Sequence, residues 1–408
     1  MAARLIDLTE RRARLAVRHR LTPALRSDDV AAIADALVAL HSSDPVSVHL
    51  SAQARQRDPS VRSVEAALYD ERRVVRHHAM RRTLWVMTPP VARVAHGAAT
   101  ASLAGAEERR LVQLLEAQGV AADGSAWLES ARRETLAALE RLGPATARRL
   151  GEAVPALTMR LQLAAGKSYA ATVQAHTRVL LQLGFEGAVL RTRPTGSWIN
   201  GQYRWVTTGS WYDHPDGLSL TGADPAAAQA ELADRYLQAF GPATAEDLRW
   251  WAGWTVSTTK QALEACGAVL VEVEAAAGGD RTIAYVAAGD DGPVTLGEDA
   301  DGGWVALLPG LDPTTMGWKQ RDWYLDPADA ATVFDRNGNG GPTVWADGRV
   351  VGGWVQRRSG EVAWRLLRRV PTRQEAAIAA AARDLEQRLG DVRFTVRFPA
   401  PLQTELRR

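Results

Sequence analysis

The sequence predicts an α+β protein in which tandem winged helix-turn-helix modules precede a C-terminal antiparallel domain that resembles a β-barrel. Three observations lead to this prediction. The first two-thirds of the chain has apolar residues at helical spacing, the spacing changes to every second residue after about residue 268, and one helix entrance occurs twice. The repeated entrance is Gly-Pro-Ala-Thr, at residues 143–146 and again at 241–244.

The composition excludes several classes of protein. The chain has 408 residues, of which 46% are hydrophobic, so we expect two to four packed globular units. A single cysteine excludes an intramolecular disulfide and favours a reducing compartment. Charged residues interrupt the N-terminal apolar runs, and no stretch of 18 apolar residues occurs. We therefore expect neither a signal peptide nor a membrane span, and a cytoplasmic location.

The basic residues are nearly all arginine. The chain has 49 Lys and Arg, and only Lys167, Lys260 and Lys319 are lysine. The net charge is +2, but residues 1–100 carry 16 Arg against 10 acidic residues. Arginine is the residue best suited to bidentate phosphate contacts, which favours a nucleic-acid partner. The alternative is a codon bias of a GC-rich genome.

The first predicted module covers residues 1–100. "DDVAAIADALVALHSSDP" predicts a helix that ends near His41 and a new helix capped by Asp44 with Pro45 in its first turn. "VEAALYDERRVVRHHAM" continues as helix, and "RRTLWVMTP" predicts a short strand. Helices followed by a basic strand are the order of a winged helix.

The two Gly-Pro entrances predict a second module at 101–215 and a third at 216–267. A helical stretch of about 104–141 ends at Gly143 and Pro144, and Thr146 caps the next helix. A further helix (about 168–183) and a hairpin turn at Asn200-Gly201 complete that module. In the second copy, Thr244 and Asp247 have the spacing of a capping box.

Residues 268–408 form the predicted barrel-like domain. Alternating runs predict strands, with tight turns at Asp347-Gly348 and Ser359-Gly360. "RQEAAIAAAARDLEQRLG" predicts a helix that buries Ile378, Leu385 and Leu389. The last run, "DVRFTVRF", alternates strictly and predicts a final strand with Arg393 and Arg397 facing solvent.

The order of several short motifs resembles the AlkZ/YcaQ-type DNA glycosylases. These motifs are "LHSSDPVSVHLSAQAR", "HHAMRRTLWVM", the two "GPAT" entrances, "WWAGW", "LLPGLDP" and "VWADGRVVGGW". The resemblance covers nearly the whole chain. It implies three tandem winged helices and a β-barrel around duplex DNA, with excision of N7-alkylated purines. Its substrates would include bulky adducts and crosslinks left by DNA-alkylating natural products, so that the protein could confer resistance to a genotoxic metabolite.

The resemblance also places a candidate catalytic motif. The Gln-x-Gln or Gln-x-Asp motif of the family falls on His41, Ser42 and Ser43, so this chain departs from the usual pair. His41 can orient or deprotonate a water, and Ser43 can hold one. Asp44 could stabilise the oxocarbenium-like state. The alternatives are a helix-end histidine, an N-cap aspartate and, for His49, a packed or surface histidine.

The chemistry predicted for this motif is hydrolysis alone. No lysine precedes Lys167, so no amine near His41 can form the Schiff base that cuts the strand. No Cys/His ligand spacing and no glycine-rich phosphate loop occur. We therefore expect a monofunctional glycosylase without metal or cofactor.

A basic run and two loops are candidate DNA contacts. The candidates are Arg72, Arg73, Arg76, His77, His78, Arg81, Arg82, Trp198, Arg204 and Arg336. The first seven lie in one run of 16 residues in which cations outnumber acids, which favours phosphate binding over a solvated helix face. Arg336 lies on a glycine-rich loop that could probe a groove or form a plain surface turn. The Trp198 side chain belongs to the predicted wing or to the core.

Two other classes of function remain open at the level of sequence. A winged-helix regulator would normally bind two half-sites as a dimer, and a drug-sequestering protein would bind the free compound without DNA. The chain has no coiled-coil segment for dimerisation. This favours a monomeric enzyme that surrounds its lesion on duplex DNA.

Overall fold

The computed structural model describes residues 3–164, 166, 170–212, 219–274, 279–296 and 303–408. Contacts within the chain define two compact units. Unit 1 comprises residues 1–74, 85–88 and 230–408, and unit 2 comprises residues 75–84 and 89–229. None of the described helices is long and apolar enough to cross a membrane.

The described segments are a mixture of helices and strands. The helices are α1 (Leu8–Arg18), α2 (Val30–Ala36), α3 (Pro45–Gln53), α4 (Val61–Glu65), α5 (Pro89–Ala95), α6 (Ala101–Ala117), α7 (Gly124–Leu142), α8 (Ala147–Ala153), α9 (His176–Phe185), α10 (Thr208–Trp211), α11 (Pro225–Phe240), α12 (Ala245–Ala252), α13 (Val256–Ala265), α14 (Pro313–Met316), α15 (Ala330–Val333), α16 (Thr372–Leu389) and α17 (Pro401–Leu406). The strands are β1 (Arg4–Ile6), β2 (Leu40–His41), β3 (Val75–His78), β4 (Leu84–Met87), β5 (Ala145–Thr146), β6 (Arg160–Leu163), β7 (Ala171–Gln174), β8 (Val189–Pro194), β9 (Tyr203–Thr207), β10 (Val269–Glu274), β11 (Arg281–Val286), β12 (Val305–Leu308), β13 (Thr343–Ala346), β14 (Arg349–Gln356) and β15 (Val362–Leu366).

The N-terminal helices of unit 1 confirm one predicted boundary and correct another. Asp44 caps α3, and Pro45 is its first residue, as predicted. The preceding helix does not reach His41, because α2 ends at Ala36 and Val38 adopts a positive φ of 61°. Residues 40–41 instead form β2, which pairs antiparallel with β4.

The helix predicted over residues 64–80 is wrong in its second half. Helix α4 continues as a π-helical segment, Ala66–Asp70, and the chain then extends into β3. All four residues of β3 are buried. An uninterrupted buried run carries neither a helical nor a strand period, so the pattern could not distinguish the two.

The C-terminal strands of unit 1 form two open sheets rather than the predicted barrel. One sheet has the order β1-β10-β11, and the other has the order β12-β13-β14-β15. The predicted turn between β13 and β14 is confirmed, since Asp347 and Gly348 have φ values of 45° and 77°. Helix α16 packs on β12 and β15, and it buries Ile378, Leu385 and Leu389 as predicted.

The final strand predicted at residues 391–398 does not form. The segment is irregular and leads into α17. Arg393 and Arg397 are exposed, as expected of them, but the backbone amides of Phe394 and Arg397 donate to side chains, namely Gln356 Oε1 (3.1 Å) and Asp44 Oδ2 (3.1 Å). Side-chain acceptors thus take the place of a partner strand.

Unit 2 has a helical core closed by a small sheet. Helices α6, α7, α8 and α9 bury a cluster that includes Leu115, Leu128, Leu150 and Leu183. Thr146 caps α8 by accepting the Arg149 amide, as predicted. The accompanying strands have the order β5-β9-β8, and the connection between β8 and β9 contains Asn200-Gly201.

Two helix predictions in unit 2 need correction. The stretch of about 104–141 is not one helix, because α6 ends at Ala117 and α7 begins at Gly124 with Asp123 as its cap. The helix predicted at about 168–183 is the strand β7 followed by α9. Residues 168 and 169 lie outside the described residues.

Candidate active site

His41 lies at the end of β2, where the sheet meets the start of α3. It is paired with Trp85 on β4, and its imidazole ring lies 4.5 Å from the Trp85 ring, centroid to centroid, at an angle of 58°. Only 4% of His41 is exposed. The strand pairing and the indole therefore hold the imidazole in one orientation.

The Ser43 backbone amide donates a hydrogen bond to His41 Nδ1 (3.3 Å). In a neutral imidazole one nitrogen is the acceptor and the other carries the proton. This contact assigns the proton to Nε2. In that tautomer His41 offers an N–H donor, as a glutamine amide would, and its geometry favours orienting a water over deprotonating it through Nε2.

Asp44 is held by backbone amides on both of its carboxylate oxygens. Oδ1 accepts from Val46 (3.2 Å), and Oδ2 accepts from Arg397 (3.1 Å). Burial raises the pKa of the Asp44 carboxyl, although both hydrogen bonds act to lower it. These contacts fix the Asp44 carboxylate at the start of α3, where it caps the helix.

Ser43 is half-buried between His41 and Arg397. Its carbonyl accepts a hydrogen bond from Arg397 Nη1 (3.0 Å), and its amide is used by His41. Within the described part of the chain, the Ser43 hydroxyl has no hydrogen-bond partner. The hydroxyl can therefore bind a water beside the imidazole.

Side-chain contacts with the loop after β12 hold helix α3 in place. Ser47 Oγ donates to the Gly310 carbonyl (2.6 Å), and Ser51 Oγ donates to Asp312 Oδ2 (2.7 Å). Arg55 forms a bidentate ion pair with Asp312 at 2.9 and 2.8 Å, and both side chains are fully buried. The ion pair holds the pKa of the Asp312 carboxyl below its usual range despite burial. Arg55 and Asp312 therefore position the helix that follows the candidate motif.

Arg55 and Asp312 were not among the site residues predicted from the sequence. One signal was present in the "LLPGLDP" motif, where Asp312-Pro313 has the same capping pattern as Asp44-Pro45 and begins α14. His49 lies inside α3 with 1% of its surface exposed, and its Nδ1 is 3.4 Å from the Pro45 carbonyl. Its position is that of a packed histidine.

The basic run of residues 72–82 separates into exposed and buried members. Arg72, Arg73 and Arg82 are exposed, and Arg81 is half-buried. Arg73 forms an ion pair with Asp29 at 2.7 Å, and Arg82 forms one with Glu107. The exposed members are the part of this run that DNA could reach.

Arg76, His77 and His78 are buried inside unit 2. The Arg76 guanidinium lies 4.5 Å from the centre of the Tyr203 ring, and His77 Nε2 is 3.1 Å from His96 Nδ1. Burial lowers the pKa of His78 to about 3, so it is neutral at physiological pH. These three side chains pack the interior, and we leave them out of the proposed DNA contacts.

The remaining predicted DNA contacts also differ in exposure. Trp198 is buried, with 6% of its surface exposed, and Arg204 on β9 is half-buried. Arg336 is exposed on a loop that Asp335 orders by accepting the amides of Asn337 and Asn339. Arg336 and Arg204 remain candidate DNA contacts, whereas Trp198 belongs to the core. The described residues contain no cluster of His, Cys, Asp and Glu that could hold a metal ion.

The fold and the site define a class of protein. The family model "DNA glycosylase AlkZ-like" matches residues 34–388, and the chain belongs to this family of DNA glycosylases. The resemblance found in the sequence motifs is thereby confirmed. Among solved structures, the DNA glycosylase AlkZ of Streptomyces sahachiroi is similar, with a TM-score of 0.70 and 20% identity over 96% of this chain and 99% of that chain. No curated protein sequence matches.

Proposed function

We propose that this chain is a monofunctional DNA glycosylase that hydrolyses the N-glycosidic bond of bulky N7-alkylated purines in duplex DNA. Its cellular role would be resistance to a DNA-alkylating natural product. The observation that carries the proposal is His41. The sequence resemblance places it at the family's first catalytic glutamine, and the contact from the Ser43 amide to Nδ1 puts the ring proton on Nε2.

For this reaction the protein needs to supply only a correctly positioned water and negative charge near the sugar. An N7-alkylated purine is already cationic, so it can leave with the bonding electrons without being protonated first. A water oxygen bonds to the sugar C1′ as the bond from C1′ to the base breaks, and the water then loses a proton to solvent. His41 Nε2–H and the Ser43 hydroxyl orient this water, and the nearby Asp44 carboxylate offsets the positive charge of the sugar.

The distribution of lysine supports hydrolysis without strand cleavage. No lysine precedes Lys167, and Lys260 and Lys319 form ion pairs with Glu264 and Glu246 at 3.8 and 2.5 Å. A Schiff base requires an amine at the reacting sugar carbon. The expected product is an intact strand with an abasic site.

The arrangement of elements supports two winged-helix modules that use the Gly-Pro entrance. In unit 2 the order is α7, β5, α8, the hairpin β6–β7, α9, β8 and β9, with a sheet β5-β9-β8. The elements α11, α12, α13, β10 and β11 follow the same order without the β6–β7 hairpin, with Ala243 bridged to Tyr285. We propose the modules predicted from the sequence, at 1–100, 101–215 and 216–267 before a β domain at 268–408, with β10 and β11 of that last range serving as the wing of the third module. The protein would act as an intracellular monomer on duplex DNA.

A base-release assay tests the proposal. A 5′-labelled duplex with one bulky N7-guanine adduct is incubated with protein, and alkali then cleaves at any abasic site before a denaturing gel. We expect alkali-dependent cleavage by the wild type and at least about a tenfold loss in His41→Ala. His41→Gln keeps an N–H donor and should retain most of the activity.

Three results would contradict parts of this proposal. Cleavage without alkali would show a lyase. Equal activity in His41→Ala would remove His41 from the mechanism and leave Ser43 and Asp44 as the candidates. Tight binding to undamaged duplex without release from any adduct would favour the transcriptional regulator.

A further inference from the structure

The two Gly-Pro modules each contain a groove between their helices and their strand hairpin. We call the groove of residues 146–205 the first groove and that of residues 245–285 the second groove. The two are nearly equal in volume, about 650 and 630 Å³. Each lies inside one unit, the first in unit 2 and the second in unit 1.

Backbone pairing makes the positions of the two grooves equivalent. Ala145 pairs with Trp205 on β9, and Ala243, 98 residues later, bridges to Tyr285 on β11. The next strand continues the match, because Trp205 pairs with Arg191 and Tyr285 pairs with Leu270. Helices α9 and α13 both have ten residues and begin at His176 and Val256.

Equivalent positions in the two grooves carry residues of different charge and polarity. Arg148 in the first groove corresponds to Glu246 in the second, 98 residues later. Arg191 corresponds to Leu270, and His176 corresponds to Val256. No acidic residue is among the described residues that line the first groove, whereas Glu246 and Glu264 line the second. The backbone pairing is the same in the two modules, but the residues that line their grooves differ in charge.

The charges of the second groove are already compensated. Arg249 pairs with Glu246 at 2.6 Å, and Lys260 lies 3.8 Å from Glu264. The rest of this surface is apolar, with Val256 70% exposed and Leu270 52% exposed. Such a surface has no uncompensated positive charge that could bind a phosphate.

The first groove contains an exposed positive charge. Arg148 is exposed and forms no ion pair with any residue that the structure describes. The Arg191 guanidinium lies 4.8 Å from the centre of the Trp205 ring, and its Nη2 lies 3.4 Å from His78 Nε2, so Arg191 is already engaged within unit 2. Burial lowers the pKa of His176, so at neutral pH it contributes hydrogen bonding rather than charge.

We propose that the first groove binds the sugar-phosphate backbone of duplex DNA and that the second groove does not. The first groove combines the exposed guanidinium of Arg148, the hydroxyl of Thr177 and the amide of Gln202, which are groups that contact phosphate oxygens. The inference rests on the proposed function, since it assigns the DNA partner to one of two modules. It makes Arg148 a phosphate-binding residue.

The salt dependence of DNA binding tests the inference. The full chain is titrated against an undamaged, fluorescently labelled duplex at several KCl concentrations, and log Kd is plotted against log salt. In Arg148→Gln the slope should fall in magnitude by about one and the affinity at low salt about three- to tenfold. Arg148→Lys should keep the wild-type slope, and Arg148→Glu, which copies the second groove, should bind more weakly than Arg148→Gln.

The matched control is Lys260→Gln, which removes a cation from the second groove and should leave slope and affinity unchanged. The inference is wrong if Arg148→Gln keeps the wild-type slope while its melting temperature is normal, or if Lys260→Gln loses as much. Base release by the wild type is measured in parallel at saturating protein. If the wild type bound duplex without releasing base, the proposed function would be wrong. The salt slopes of the Arg148 and Lys260 variants would still show whether the first groove binds the DNA backbone.

Discussion

At the scale of single residues, the position of one proton decides what His41 can do. The contact from the Ser43 amide to Nδ1 puts the ring proton on Nε2. A histidine in that state is a hydrogen-bond donor at Nε2 rather than a general base there. The sequence resemblance indicated His41 as a candidate, but the tautomer depends on a backbone amide two positions away.

The buried Arg55–Asp312 ion pair leads to a prediction about stability. Removal of one partner leaves the other as an uncompensated charge in the interior, so Asp312→Ala should lower the free energy of unfolding by about 3–5 kcal/mol. The double variant Arg55→Met/Asp312→Leu should recover part of that loss. Urea-induced unfolding followed by circular dichroism measures both.

An exposed ion pair serves as the control. Arg365 and Glu405 are 2.7 Å apart and both are well exposed, so Glu405→Gln should change the free energy of unfolding by less than about 1 kcal/mol. A loss in Asp312→Ala no greater than in Glu405→Gln would mean that the buried pair does not hold α3 in place.

At the scale of elements, caps and turns could be predicted from sequence because they depend on neighbouring residues. Asp44, Thr146 and Thr244 cap α3, α8 and α12 as their spacing indicated. The segment "DVRFTVRF" alternates but forms no strand, because its amides donate to the side chains of Gln356 and Asp44. Those acceptors are remote in sequence, so alternation alone could not exclude them.

The two Gly-Pro entrances predict unequal costs for the same substitution. Thr244 Oγ1 accepts the Asp247 amide at 3.1 Å, and Asp247 Oδ2 accepts the Thr244 amide at 3.0 Å. At the first entrance Arg149 takes the place of Asp247 and cannot return the bond. Thr244→Ala should therefore lower the free energy of unfolding by about 1–2 kcal/mol, and Thr146→Ala by about 0.5–1 kcal/mol.

Urea titrations of the two variants measure this difference. Thr244→Ser keeps the hydroxyl and is the control, since it should retain most of the wild-type stability. Equal losses in Thr146→Ala and Thr244→Ala would show that the reciprocal bond adds nothing to the second entrance.

At the scale of the whole molecule, the sequence indicated strands but not their partners. The strands β10 and β11 were predicted, yet β10 pairs in parallel with β1, where Arg4 lies opposite Val271. With that partner taken from the N-terminus, β10 and β11 belong to a sheet separate from β12–β15. A barrel was predicted because short-range patterns carry no information about a pairing across so much of the chain.

Buried histidines predict that the protein loses stability in mild acid. Burial lowers the pKa of His19 and His78 to about 3 and of His96 to about 4, and it lowers the pKa of His77 as well. The unfolded chain binds protons near pH 6.5 that the folded chain does not. Stability is therefore complete above that pH and decreases as the pH falls toward the folded-state values.

Each histidine that stays neutral should remove about 1.4 kcal/mol of stability per pH unit below pH 6.5. Urea titrations at pH 7.5, 6.5 and 5.5 measure the slope in a range where carboxylates remain ionised. His78→Gln should have a slope lower by about one histidine. A free energy of unfolding that does not change between pH 7.5 and 5.5 would contradict the prediction.

The Arg55–Asp312 pair also sets an order of events on the ribosome. The two residues are 257 positions apart, and at typical translation rates the carboxylate is made roughly 10–50 s after the guanidinium. All of unit 2 is synthesised in that interval. The segment with His41 is thus among the first translated, and the contacts that hold its following helix are among the last completed.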